Sequence, residues 1–173
     1  MNFILETERL SLREFVKGDF DALKKVLHDG KESDEYVNRW LNWCIDSYQK
    51  YGFGLWAVIY KATNEVIGSC GVSMQPIDGS WVPEIGYHIR NDCHRQGLGQ
   101  EVTKGIKDYF FSHFQYDEVY SYMDVDNVAS YKTAIANGMT YIKNFIDKTG
   151  NECCIYKITR KEWEKENSWF CAK

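Results

Sequence analysis

The chain has no block of Lys and Arg, no C-x-x-C pair, and no apolar run approaching the ~18 residues of a membrane span. Without a basic block, and with a net charge of 21 − 25 = −4, nothing in it suits a nucleic-acid or anionic-membrane partner. The six cysteines are Cys44, Cys70, Cys93, Cys153, Cys154 and Cys171, and two of them are adjacent, which argues against a simple disulfide framework. Cys93-His94 has no second pair at ligand spacing, so no metal is expected. The first residues lack a basic stretch followed by an apolar core, which leaves a reduced cytoplasmic setting as the default. No repeat, linker or low-complexity stretch interrupts the order, and 173 residues fit one domain over 1–173.

What is present is an aromatic share of 16%, which suits a packed core with a pocket rather than disorder. Glu8–Phe15 alternates apolar and polar residues, with Leu10 and Leu12 on one side, and predicts a strand. Asp19 is the expected cap of a helix over Phe20–His28 that stops near Gly30. Asp34 opens a second helix to Tyr51. Tyr36, Trp40, Cys44 and Tyr48 fall four apart along it, and Gly52 sits at its C-terminal stop. Strands are predicted over Gly54–Lys61, Glu65–Met74, Trp81–Ile89, Glu118–Val125, Thr140–Ile146 and Cys153–Thr159. Helices are predicted over Leu98–Phe114, with Leu98, Val102, Ile106 and Phe110 on one stripe, over Asn127–Asn137, ended by Gly138, and in the tail over Lys161–Phe170. Strands outnumber helices, and hairpins mix with β-α-β crossovers. The fold class is therefore α/β with a mixed sheet, not a doubly wound parallel one.

The segment richest in chemistry runs strand, loop, Gly97-Leu98-Gly99, helix. Glycines let backbone approach a ligand, and free N–H groups at a helix start attract phosphate. Arg95 adds a positive charge. The residues leave two readings: a pyrophosphate cradle, or a helix that simply begins with glycine. A dinucleotide fingerprint fails because Val102 stands where its third glycine belongs, and no P-loop pattern occurs.

The six residues His94-Arg95-Gln96-Gly97-Leu98-Gly99 resemble the coenzyme A signature [Q/R]-x-x-G-x-[G/A] of the GNAT (Gcn5-related N-acetyltransferase) superfamily. His94 departs from the usual Arg or Gln, as happens in the RimJ/RimL-like branch of ribosomal-protein N-acetyltransferases. The resemblance extends over nearly the whole chain. It includes Thr7-Glu8-Arg9-Leu10-Ser11-Leu12-Arg13, Glu84-Ile85-Gly86-Tyr87-His88-Ile89, Gly97–Glu101, Asp126-Asn127-x-x-Ser130 and Asn137-Gly138-Met139.

That resemblance implies a GNAT fold whose central parallel strands, Trp81–Ile89 and Glu118–Val125, splay to admit coenzyme A. Pantetheine would pair with backbone around Ile89 and Arg90, and the pyrophosphate would rest on the amides of Arg95, Gln96, Gly97, Leu98, Gly99 and Gln100. Asn127 would contact pantetheine. Acetyl would pass from acetyl-CoA directly to a primary amine, a protein N-terminus or a small molecule, with no metal and no cysteine nucleophile. Direct transfer needs a base, an oxyanion donor and a partner for the leaving thiolate. A backbone N–H near Ile89 suits the oxyanion. Glu84 is the first candidate base, alone or through water, against the plainer readings of a solvated edge or a salt bridge. His88 is the second, against a structural imidazole, and Tyr87 reads as packing. Many relatives place a tyrosine seven residues after the asparagine to serve the thiolate, but that position is Ala134 here. Ser130 takes the role in the RimL-like branch, against local capping, and Tyr131 is its competitor. The aromatic helix over 34–51 reads as core whose exposed residues line the acceptor pocket. The absent tyrosine keeps a rival reading open, a non-catalytic acyl-CoA sensor or scaffold. A monomer or a homodimer is expected.

Overall fold

The computed structural model describes residues 2–168. In chain order the elements are β1 (Leu5–Glu6), β2 (Leu10–Arg13), α1 (Phe20–Val26), α2 (Asp34–Tyr51), β3 (Leu55–Tyr60), β4 (Glu65–Ile77), β5 (Ser80–Ile89), α3 (Leu98–His113), β6 (Glu118–Asp124), α4 (Val128–Ala136), β7 (Thr140–Ile146), β8 (Glu152–Thr159) and α5 (Arg160–Glu166). The strand order is β1-β2-β3-β4-β5-β6-β8-β7, mixed in direction because β5 and β6 are parallel. The contacts fall into two compact units, Met1–Ser73 with Gly86–Ile106, and Met74–Ile85 with Lys107–Lys173.

The first unit is an antiparallel run. Leu5 pairs Leu12, Leu10 pairs Tyr60, and Leu55 pairs Gly71. A Cβ on Gly71 would come within 2.0 Å of the Gly54 carbonyl oxygen, so only glycine lets these backbones meet. The core gathers Phe15, Leu23, Leu27, Val37, Leu41, Cys44, Leu55 and Ala57. On α2 the buried stripe is Val37, Leu41 and Cys44, with Trp40 and Tyr48 packed beside it, while Tyr36 from the sequence stripe is exposed. The cap is Ser33, whose hydroxyl accepts the Tyr36 N–H at 3.2 Å, one residue before the Asp34 start read from sequence. Gly52 closes the helix at φ 75° as expected.

Asp19 stands at the N-cap of α1, where the sequence places it, but its side chain makes no capping bond to the helix. Its carboxylate instead takes the Arg13 guanidinium at 2.7 and 2.8 Å and the Val16 N–H at 2.8 Å. A bidentate bond to a guanidinium, charged on both sides, holds the carboxylate away from the helix amides.

In the second unit β6 pairs β8 from Glu118↔Thr159 to Asp124↔Cys153, and β7 lies beyond β8 with a register slip between Tyr141 and Lys143. The Arg160 guanidinium donates to the carbonyls of Phe111, Phe114 and Tyr116, satisfying the end of α3. Trp163 stacks on Phe111 and donates its indole N–H to Asp108 at 2.8 Å. The buried Lys107 ammonium donates to the Asn137 carbonyl at 2.8 Å, where α4 ends, and pairs Glu166 at 3.0 Å.

The tail helix begins one residue earlier than the sequence suggests and ends at Glu166, while Trp169 and Phe170 of that expectation, and Cys171, lie outside the described residues. β1 and the extension of β4 to Ile77 are additions to the sequence reading. The stripe Leu98, Val102, Ile106 and Phe110 is buried as expected. Among the described residues no helix is long and apolar enough to cross a membrane.

Candidate active site

In the first unit the site grows from the end of β5. The Arg90 N–H donates to the Ile67 carbonyl at 2.8 Å, so Arg90 faces β4. Strand alternation turns the Ile89 N–H and carbonyl to the other edge. There the His94 ring lies 2.6 Å from the Ile89 carbonyl. The residue that departs from the signature thus fastens the loop to the strand end, and the same edge carries the Ile89 N–H. The Arg90 guanidinium is committed to Asp92, at 2.7 and 2.9 Å, and to Glu65. Its backbone is engaged as well, the N–H with the Ile67 carbonyl and the carbonyl with the Cys93 N–H at 2.9 Å.

The loop reaches α3 through two left-handed residues, Arg95 at φ 59° and Gly97 at φ 76°. A non-glycine residue in this region is strained, and such strain persists only where the surroundings impose it. The Glu101 N–H bonds the Gly97 carbonyl, which starts the helix and leaves the N–H groups of Leu98, Gly99 and Gln100 pointing off its end. Gly99 serves a different purpose from Gly97. A Cβ there would press to 3.1 Å from the Tyr87 ring, so Gly99 lets the helix settle on β5. Leu98 anchors the first turn in the core.

A network absent from the sequence reading ties this loop to the amino-terminal hairpin. Glu101 accepts the Thr7 hydroxyl at 2.5 Å, the Arg9 N–H at 2.8 Å and the Arg9 Nε at 2.6 Å. Arg9 Nη1 donates to the Gln96 carbonyl at 2.9 Å. Burial pushes the Glu101 pKa up, but the bonds from Thr7 and Arg9 prevail and hold it below its ordinary value. Both residues sit in motifs that the sequence singles out. Nothing local pairs positions 92 apart in the chain.

In the second unit β5 meets β6 at one register pair, Glu84↔Tyr120. Two side chains extend the exchange. The Glu84 carboxylate accepts the Tyr122 N–H, and the Ser121 hydroxyl donates to the Ile85 carbonyl at 3.0 Å. Glu84 is only 7% exposed, so it is not the solvated edge that the sequence left open. Burial pushes its pKa up to about 8, against the pull of the Tyr122 N–H. The Tyr122 phenol is pushed up to about 12, by burial first and the Glu84 charge second.

Asn127 is the N-cap of α4, its Oδ1 accepting the Ser130 N–H at 3.1 Å. The side-chain cap of α4 is therefore Asn127. Ser130 and Tyr131 are half-buried, and Ala134 is buried. His88, in the first unit, is exposed and meets the edge of Trp40 at 6.5 Å.

Set beside known proteins, residues 9–140 match the model of the acetyltransferase (GNAT) domain family. The uncharacterized protein YkkB of Bacillus subtilis strain 168 is 31% identical over 162 residues, covering 88% of this chain and 94% of its own. Among solved structures, a GnaT-family acetyltransferase from Bordetella pertussis superposes with a TM-score of 0.79 at 15% identity, covering 88% of this chain and 97% of that one. RimL, a ribosomal L7/L12 alpha-N-protein acetyltransferase solved with coenzyme A, superposes at 0.74 and 18% identity, covering 91% and 98%. The family model spans most of the chain and includes the loop that turns into α3, and on that ground this chain belongs to the GNAT acetyltransferase family.

Proposed function

We propose that this chain transfers acetyl from acetyl-CoA directly to a primary amine in the cytoplasm, without a metal. The observation that carries the reading is the loop at 94–100. Left-handed Arg95 and Gly97 bring its backbone to the amino end of α3, where unpaired amides and the helix dipole suit a pyrophosphate. Asn127 and the backbone at Ile89 and Arg90 are the further contacts expected for the cosubstrate.

In the proposed reaction the amine loses a proton and its nitrogen attacks the thioester carbonyl. The carbonyl oxygen becomes an oxyanion held by the Ile89 N–H. The C–S bond then breaks, and coenzyme A leaves as a thiolate that accepts a hydrogen bond from Ser130 and ends as the thiol by taking up the second proton that the attacking nitrogen loses. Glu84 takes the ammonium proton, directly or through one water. A carboxyl with a pKa near 8 is a stronger base than an ordinary one, once ionised.

The acceptor is a protein N-terminus or a small-molecule amine. Ribosomal-protein acetyltransferases among the fold neighbours favour the peptide as the first probe. One observation favours a second reading, a non-catalytic acyl-CoA sensor: the position of the customary tyrosine holds buried Ala134. Thermal shift with acetyl-CoA tests cosubstrate binding, because a ligand at 100 times its Kd adds roughly 2.7 kcal/mol. Thiol release over a panel of peptides and small amines then separates enzyme from sensor. Binding without release on any amine favours the sensor.

A further inference from the structure

We infer that Arg9 is a further coenzyme A-binding residue, which holds the loop at 94–100 in shape and presents its guanidinium to the phosphates. This rests on the reading of that loop as a pyrophosphate cradle. A carboxylate in the first turn of α3 is suited to the helix dipole but would repel a pyrophosphate bound at the same end. Glu101 occupies that turn. Arg9 removes the conflict, because its N–H and Nε neutralise both Glu101 oxygens while Nη1 takes the Gln96 carbonyl. The guanidinium is fixed by bonds at 2.6 and 2.9 Å to partners on either side of Gly97.

The remaining nitrogen, Nη2, lies 3.6 Å from the point where a Gly97 Cβ would stand, next to the residue that turns the loop. The Arg9 side chain is 38% exposed, against 17% for Glu101, so the arginine is the member of the pair that reaches solvent. A planar fork with five N–H donors can grip a carboxylate and a carbonyl and still offer hydrogens to a phosphate, which an ammonium cannot do in the same geometry. Thr7 completes the clasp by giving its hydroxyl to Glu101, so that the acid reaches the ligand already satisfied.

The test compares two probes, acetyl-CoA and acetylpantetheine, which keeps the thioester arm but has no pyrophosphate. Calorimetry on Arg9→Gln should show acetyl-CoA affinity reduced about ten- to a hundredfold, the scale of a lost charge-assisted hydrogen bond. Acetylpantetheine affinity should stay within about twofold, and Arg9→Lys should recover only part of the loss. Glu101→Gln, which keeps the arginine and loosens its seat, should cost only a few-fold and serves if Arg9→Gln does not fold. Equal weakening toward both probes would reduce Arg9 to a structural pair. Wild-type affinity for acetyl-CoA in Arg9→Gln, with wild type binding it and Gly97→Glu not, would overturn the inference and leave the cradle standing. A wild-type protein that ignores acetyl-CoA would overturn both.

Discussion

The loop at 94–100 and the carboxyl of Glu84 are built on opposite principles. The loop is exposed, and its shape comes from left-handed backbone, from His94 on the Ile89 carbonyl and from the clasp of Arg9 and Glu101. The His94, Arg9 and Glu101 side chains around it are paired, while the amides at the start of α3 point off the helix end. Glu84 is buried, keeps a single backbone donor, and gains its altered acidity from what surrounds it rather than from what it binds. A site for a fixed, highly charged ligand is assembled from donors held open at a surface. A proton-transfer group is tuned by withholding water. Each half of this contrast can be broken separately.

The largest effect is expected from Gly97→Glu. A side chain at φ 76° and a negative charge beside the amides should remove measurable acetyl-CoA binding. Melting temperature should fall by only a few degrees, because Arg9 Nη2 is the nearest atom that the new Cβ would meet, at 3.6 Å. Wild-type-like affinity by calorimetry would sink the cradle.

Glu84→Gln keeps the shape and removes the base. Turnover should drop by about 10²–10⁴-fold on the best amine, with acetyl-CoA affinity little changed. Retention of more than about half the activity would make Glu84 structural. The pH profile sharpens the same point. Ionised Glu84 accumulates only as pH rises through about 8, so the wild-type rate should climb across that range, and the variant should lose that arm.

Stability should run the other way. The folded pKa of about 8 stands above the ordinary 4.5, so the folded state binds the extra proton between them. The contribution of the neutral carboxyl is full below about 4.5 and is lost as pH rises through about 8. Urea titrations of wild type and Glu84→Gln should therefore diverge as the pH is raised through that window, in favour of the variant. Parallel curves would mean that the carboxyl titrates normally.

The smallest effects concern α4. Ser130→Ala should lower turnover roughly ten- to a hundredfold, one charge-assisted hydrogen bond at 1.4 kcal/mol per decade. Tyr131→Phe should change it by less than about threefold. The reverse ranking at saturating acetyl-CoA would make the phenol the acid.

Legibility in the sequence followed the range of the interaction. Helix α3 and its buried stripe, strand β7 and the stop at Gly52 came from short-period patterns and were found in place. Asp19 was placed correctly at the start of α1, but its side chain answers to Arg13, a charged partner that propensity does not weigh. The glycines around 97 were visible, but the separate duty of Gly99 depends on the Tyr87 ring on another element. Glu84 could be nominated from its strand, whereas its burial against Tyr122 required the β5–β6 register, and that register is a single pair. The two ends of the clasp, Thr7 and Arg9 in one motif and Glu101 in another, were each in view, but nothing local joins positions 92 apart, so their pairing was not legible.

The slip in β7 has a bearing on self-association. β7 ends the strand order, and Ile142 and Ile146 stand exposed along it, 44% and 64% accessible. A regular edge of that composition would template a second chain and seed aggregates. The irregularity between Tyr141 and Lys143 breaks the even row of donors and acceptors, and Lys143, drawn to Asp78, sets a charge at the break. An incoming strand would have to desolvate that ion pair and match an interrupted ladder. An edge interrupted and charged in this way opposes strand addition more than a regular one carrying the same isoleucines would.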